Sequence, residues 1–254
     1  MMEEIQYTFM LAFLSRNGVH IMGFLLVSII VLTTLFVIWR AVSVARTPIA
    51  ETTPEAGLRY VALGDSYTIG QGIPSDESFP SQLVRVFAEE SIPVTLVANP
   101  SRTGFTTQNL IDQELPIFER AKPDAVTILI GVNDWVQGVS EERFRTNVAH
   151  IFDAVLETLP RERVLVISIP DFSVMPIGKT FSLGRDISSG LARFNTIIQE
   201  EAEKRTLKTV DIFPLSQTLS ESRFIAPDGL HPSKEAYALW VQEMLPSARI
   251  VFGQ

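Results

Sequence analysis

Residues 59–72 read RYVALGDSYTIGQG. A short, continuously apolar run, RYVAL, leads without a charge into Gly64-Asp65-Ser66-Tyr67 and then into a turn spaced by Gly70 and Gly72. Such a run, too short for a core helix and without alternation, reads as a strand buried on both faces. The same character returns in VTLVA at 94–98, AVTILI at 125–130, RVLVISI at 163–169 and LKTVDI at 207–212. Between them, Phe144, Val148, Ile151, Phe152, Val155 and Leu159 recur at three- and four-residue steps, as do Ile187, Leu191, Phe194, Ile197 and Ile198. Each set makes one apolar helical stripe. Weaker patterns cover 79–91, 107–120 and 233–245. Strands alternating with crossover helices predict a three-layer α/β/α sandwich on a five-stranded parallel sheet, with ligands at the carboxyl ends of the strands.

The residues that follow each strand are therefore the ones to read for chemistry. After the first strand, Ser66 sits at a tight strand-to-helix turn, where a hydroxyl and its own backbone N–H can face one pocket. No G-x-S-x-G elbow occurs in the chain, so the common α/β-hydrolase pattern is not met. After the second strand, Asn99-Pro100-Ser101-Arg102-Thr103-Gly104 ends in a glycine that permits close backbone approach. After the third, Gly131-Val132-Asn133-Asp134-Trp135 places an amide where it can donate to a developing oxyanion. Near the C-terminus, Pro227-Asp228-Gly229-Leu230-His231-Pro232 precedes a helix opened by Ser233. Of the three histidines, His20 borders an apolar stretch and His150 falls opposite the stripe of its helix, as a solvated residue does. His231 is left as the candidate base.

Composition excludes several classes. With 46% hydrophobic residues the 254-residue chain can bury a sizeable core. Lys and Arg number 21 against 29 Asp and Glu, a net charge of −8 without a basic run, which argues against nucleic acid as a partner. The absence of cysteine removes disulfides, thiolate metal sites and Cys nucleophiles.

The N-terminus belongs to a different solvent. Residues 21–39, IMGFLLVSIIVLTTLFVIW, carry no charge and match the thickness of a bilayer core as a helix. A cleaved signal has a shorter apolar region, and here Arg40 closes the run, so an uncleaved transmembrane anchor is expected. Residues 40–57, ending in RTPIAETTPEAG, read as a linker. The expected organisation is an N-terminal segment 1–20, a membrane helix 21–39, the linker 40–57 and a catalytic-sized domain 58–254.

Taken in chain order, Ser66, Gly104, Asn133 and the Asp228-x-x-His231 pair resemble the blocks of the SGNH (GDSL-type) hydrolases. The resemblance runs from about Arg59 to Leu245 and is most similar to the lysophospholipase and carboxylesterase branch. It implies a flavodoxin-like fold and a serine ester hydrolase with an acyl-enzyme intermediate. Ser66 is then the nucleophile, His231 the base and Asp228 its orienting carboxylate. The oxyanion hole comprises the N–H groups of Ser66 and Gly104 and the Asn133 amide, with no metal or organic cofactor. Two positions depart from the pattern: Tyr67 stands where many relatives have Leu, and Arg102 has no role fixed by the chemistry. Arg102 is either a contact for an anionic substrate group or a solvated residue.

The connection PDFSVMPIGKTFSLGR at 170–185 is long and apolar on the ligand side, as lids and acyl-pocket walls are. With Trp135 nearby it suggests an apolar acyl group on an ester or lipid substrate. The alternatives are a sugar O-acetylesterase and a glycan- or lipid-binding module without turnover. Arg16 precedes the span whereas Arg40, Arg46 and Arg59 follow it, so positive-inside counting favours a cytoplasmic domain. Family habit favours an extracytoplasmic one, which is the expectation adopted.

Overall fold

The structure, a computed structural model, describes residues 57–253. The N-terminal segment 1–20, the expected span 21–39 and the linker up to residue 56 lie outside the described residues. Among the described residues no helix is long and apolar enough to cross a membrane.

Strands β1 (Leu58–Gly64), β2 (Val94–Ala98), β3 (Ala125–Leu129), β4 (Val164–Ile167) and β5 (Lys208–Val210) form one parallel sheet in the order β2-β1-β3-β4-β5. The helices, in chain order, begin with α1 (Ser66–Ile69), α2 (Phe79–Glu89), α3 (Thr107–Asn109), α4 (Leu115–Ala121) and α5 (Val132–Val136). They continue with α6 (Glu141–Thr158), α7 (Ile187–Lys204), α8 (Phe213–Ser216) and α9 (Lys234–Phe252). Helices α2 and α9 pack together on one face of the sheet, and α6 packs with α4 and α7 on the other.

Covering both faces explains the unbroken apolar strands. Tyr60, Val61, Ala62 and Leu63 of β1, and Ala125, Val126 and Leu129 of β3, are completely buried. Each large aliphatic side chain so buried stabilises the fold by about 1.5–3 kcal/mol. The polar atoms on these strands are paired, since the Tyr60 hydroxyl and Thr127 Oγ1 share a hydrogen bond of 2.6 Å across β1 and β3. Side-chain caps start the long helices where chain direction matters: Ser140 accepts from the N–H of Arg143, Asp186 from Ser189 and Ser233 from Ala236.

Three elements differ from the sequence expectation. The helix expected over 107–120 is divided into α3 and α4 by a π-helical turn at Leu110–Glu114. The wider turn brings the buried Glu114 carboxylate to the N–H of Gly64 at the end of β1, at 2.9 Å. The last helix runs on through Pro246 to Phe252, because Met244, Ala248, Val251 and Phe252 continue its buried face. β5, at the sheet edge with one neighbour, keeps its ladder only over Lys208–Val210.

Candidate active site

Strand order reverses at β1, whose partners are β2 on one side and β3 on the other. A crevice therefore opens beyond the carboxyl ends of β1 and β3. α1 brings Ser66 to this crevice and α5 brings Asn133. The β1–α1 turn admits only glycine at position 64, where a Cβ would collide with Thr68 Oγ1 and the Leu129 carbonyl. Asp65 caps α1 by accepting the N–H of Tyr67 at 3.0 Å, which leaves the Ser66 hydroxyl to point elsewhere.

The segment before α9 brings the second half. The Ala226 N–H donates to the His231 carbonyl at 2.8 Å and the Gly229 N–H to Ala226 at 2.9 Å, closing the turn that holds Asp228 and His231. One Asp228 oxygen accepts the backbone N–H groups of Leu230 and His231, and the other lies 2.6 Å from His231 Nδ1. His231 Nε2 is 2.9 Å from Ser66 Oγ. With Nδ1–H donated to the carboxylate, the Nε2 lone pair faces the serine hydroxyl. Burial pushes the Asp228 carboxyl up, but the N–H groups of His231 and Leu230, the imidazole N–H and the imidazole charge together hold it below the usual carboxylate range. It is ionised at neutral pH. Gly72, with φ +87°, lets its loop lie against this carboxylate; a Cβ there would be 3.1 Å from Asp228 Oδ2 and 2.9 Å from Ala226 Cβ. Sequence reading saw Gly72 only as part of a turn, because its partner lies far along the chain.

The three expected oxyanion donors stand after the carboxyl ends of β1, β2 and β3. Gly104 adopts φ +80°, and its carbonyl accepts the Gln137 amide at 3.2 Å, which ties its loop to the end of α5. The N–H groups of Ser66 and Gly104 have no acceptor among the described residues. Asn133 Nδ2 lies 3.0 Å from the Phe105 carbonyl and 3.3 Å from Asp65 Oδ2, so the amide is oriented before any substrate arrives. Asp134 turns the other way, accepting the N–H and hydroxyl of Thr107 and tying α5 to α3.

Trp135 corrects an expectation. It was read as a substrate contact, yet it is 4% exposed, packs edge-on against Phe172 and lies beneath the Arg185 guanidinium at 4.1 Å. Two residues apart on a helix lie on different faces, so with Asn133 at the crevice Trp135 faces the core. Arg185 also donates to the carbonyls of Trp135 and Val136, at 2.7 and 2.8 Å, pinning the end of the 170–186 connection to α5. Gly190 on α7 packs directly against the indole: a Cβ would run into Trp135 Nε1. Gly190→Ala is expected to cost about 1–3 kcal/mol and to lower the melting temperature by roughly 3–10 °C; an unchanged melting curve contradicts this packing. Arg102 is exposed on the loop that carries Gly104, and among the described residues its side chain makes no hydrogen bond. His150 is exposed, as expected.

Beneath the crevice lie three buried carboxyls that sequence reading missed as a group. Burial, with the Asp134 charge added, pushes Asp65 up to about 7 against the N–H of Tyr67 and the Asn133 amide. Burial likewise raises Asp134 to about 6, against its bonds from Thr107, and Glu114 well above its ordinary value, against the N–H of Gly64. Carboxyls raised in the folded state stabilise it most below their unfolded values near 4, and that contribution is lost as pH rises through 6 and 7. Carboxyls held low, such as Asp228, Asp171 and Glu201, give their full contribution by pH 5. Stability is therefore expected to fall from pH 5 to pH 8 by roughly 2–4 kcal/mol. Thermal denaturation across that range checks the sign, and a melting temperature that rises with pH contradicts it.

A serine hydroxyl, an imidazole and an ionised carboxylate in series, at the carboxyl edge of a parallel sheet and beside fixed N–H donors, define an ester-hydrolysing serine hydrolase. Residues 62–239 match the model of the GDSL-like lipase/acylhydrolase family, and the chain belongs to that family. It is 26% identical over 191 residues to an arylesterase of Vibrio mimicus, covering 75% of this chain and 88% of that one. Among solved structures it resembles a lipase/acylhydrolase from Enterococcus faecalis, with TM-score 0.62 at 22% identity over 78% of this chain and 99% of the other. An acetyl xylan esterase from Geobacillus stearothermophilus shares the fold, with TM-score 0.61 at 16% identity over 76% and 95% of the two chains.

Proposed function

We propose that the chain is a membrane-anchored, lysophospholipase-like esterase that uses Ser66 as nucleophile, His231 as base and Asp228 to orient the imidazole. The observation that carries this reading is the unbroken series from Asp228 through His231 to Ser66, at 2.6 and 2.9 Å. Ser66 Oγ attacks the acyl carbon while Nε2 of His231 takes its proton. The charge that develops on the carbonyl oxygen meets the N–H groups of Ser66 and Gly104 and the Asn133 amide, which gives up its long contact to Asp65. His231 then protonates the leaving alkoxide, and water repeats the sequence on the acyl-enzyme.

The uncharged stretch 21–39 supports membrane attachment, and the apolar 170–186 connection supports an ester with an apolar acyl part. Along that connection Ile177 is 41% and Leu183 79% exposed, two of three large apolar side chains so exposed among the described residues. Leu183 adopts φ +49°, an unfavourable backbone for its type. Arylesterase activity in a relative is compatible with the same pocket. By family habit the domain faces the extracytoplasmic side.

The test is labelling of the full chain by a fluorophosphonate, followed by hydrolysis of esters of increasing acyl length and of lysophospholipid in vesicles. Labelling at Ser66, with turnover that increases beyond acetyl esters, is the expected result. Failure of labelling removes the hydrolase mechanism, whereas turnover confined to acetylated sugars replaces the lysophospholipase-like specificity by that of a sugar O-acetylesterase. Deleting residues 1–47 is expected to leave activity on a soluble ester unchanged and to lower it on vesicles, since a tether raises the effective concentration at the surface. Equal activity of both forms on vesicles removes the anchoring role.

A further inference from the structure

His231 is held by two hydrogen bonds that both lie in the plane of its ring, one to Asp228 and one to Ser66. Bonds in one plane on opposite sides of a ring leave it free to rock about the line that joins them. A side chain packed against the imidazole restricts that motion. Tyr67 is such a neighbour: its ring centroid is 5.1 Å from that of His231, with the planes inclined at 54°.

Tyr67 is itself fixed from several directions. Its N–H is held by Asp65, and its carbonyl accepts the Tyr237 hydroxyl at 2.8 Å. Its ring stacks on Trp240 at 6.2 Å and 24°, and Trp240 in turn meets Tyr237 edge-on at 5.2 Å. Tyr237 and Trp240 belong to α9, which starts three residues after His231. One buried ring thus joins the turn that carries Ser66 to the segment that carries His231.

We propose that Tyr67 is a positioning residue that keeps the His231 imidazole in line between Asp228 and Ser66. The proposal rests on the reading of Ser66 as the nucleophile and concerns the ring of Tyr67, not its hydroxyl. Burial, with Asp65, Asp228 and Asp171 nearby, pushes the Tyr67 phenol far up, so it stays neutral and carries no limb of a pH profile. The imidazole is bonded to Asp228 on its own turn and to Ser66 on α1, and lies against the Tyr67 ring.

Full-length protein in detergent, with Tyr67→Phe and Tyr67→Leu variants, tests this by steady-state kinetics on a water-soluble ester, by the rate of fluorophosphonate labelling and by the low-field proton resonance of the His231–Asp228 bond. Tyr67→Phe is expected to stay within about threefold of the parent, and Tyr67→Leu to lose about 10- to 100-fold in kcat and labelling rate with KM little changed. The low-field resonance is expected to be sharp in the parent and the Phe variant and broadened in the Leu variant. Unchanged kcat in Tyr67→Leu, an equal loss in Tyr67→Phe, or a loss carried by KM overturns the proposal. If the Leu variant does not fold, Tyr67→Met serves in its place, since its unbranched side chain fills irregular space. Absence of labelling in the parent would instead remove the mechanism beneath it, so the two failures are distinct.

Discussion

Ser66→Ala and His231→Ala are each expected to lower kcat for ester hydrolysis by roughly 10⁴-fold or more, and the double variant to be little worse than either single one. The reason is geometric. Ser66 Oγ is a weak nucleophile unless Nε2, 2.9 Å away, accepts its proton, and Nε2 has no such task without the hydroxyl. Ser66→Ala removes one oxygen from a turn whose capping bonds run through Asp65 and Tyr67, so its melting temperature should match the parent's. His231→Ala also removes a ring packed against Tyr67 and should melt earlier while remaining folded. Steady-state kinetics beside circular dichroism checks both, and a folded, uncontaminated Ser66→Ala protein with full activity refutes the mechanism.

Asn133→Ala is expected to cost about 10²–10³ in kcat with a small change in KM. The amide nitrogen is already held by the Phe105 carbonyl, so as charge builds on the substrate oxygen the parent enzyme exchanges only the long contact to Asp65. Its removal leaves the two backbone donors alone and strips a partner from each of two acceptors. The split between kcat and KM is the informative quantity. A loss confined to KM would make Asn133 a ground-state binding residue and leave the oxyanion to Ser66 and Gly104.

Much of this architecture is legible in short windows of sequence. β2 coincides with the apolar run VTLVA, and the buried stripes of α6 and α7 follow the spacing of Phe144 to Val155 and Ile187 to Ile198. Strand periodicity and helix periodicity are local quantities, and residues at strand ends are placed by topology alone. What was not legible depends on contacts between residues far apart in the chain. The wider turn at Leu110–Glu114 answers the free N–H of Gly64, and no local signal near Glu114 announces that partner. The same holds for Gly72 against Asp228 and for Arg185 on α5. Trp135 stands two positions after Asn133 on one short helix, and the turn of that helix sends its indole into the core, which a local window does not reveal. The proposed span 21–39 lies outside the described residues and is argued from hydropathy alone.

The connection between β4 and α7 is hydrogen-bonded to other elements chiefly at its two ends, with Met175 buried in the core between them. At its start, the N–H of Asp171 donates to Ser216 Oγ and its carboxylate accepts from Ser173, Ser188 and Gln217. At its end, Arg185 grips the carbonyls of α5. Between these fastenings, the Ile177 N–H donates to the Gly229 carbonyl on the turn of the histidine. A segment of this kind behaves as an exchangeable cassette. Its exposed positions, Pro176, Ile177, Lys179, Thr180, Leu183 and Gly184, can be exchanged while the reacting groups, placed by other strands, keep their geometry. Selection for a new ester, in nature or in a library, is therefore expected to concentrate its changes in this stretch and to spare the sheet.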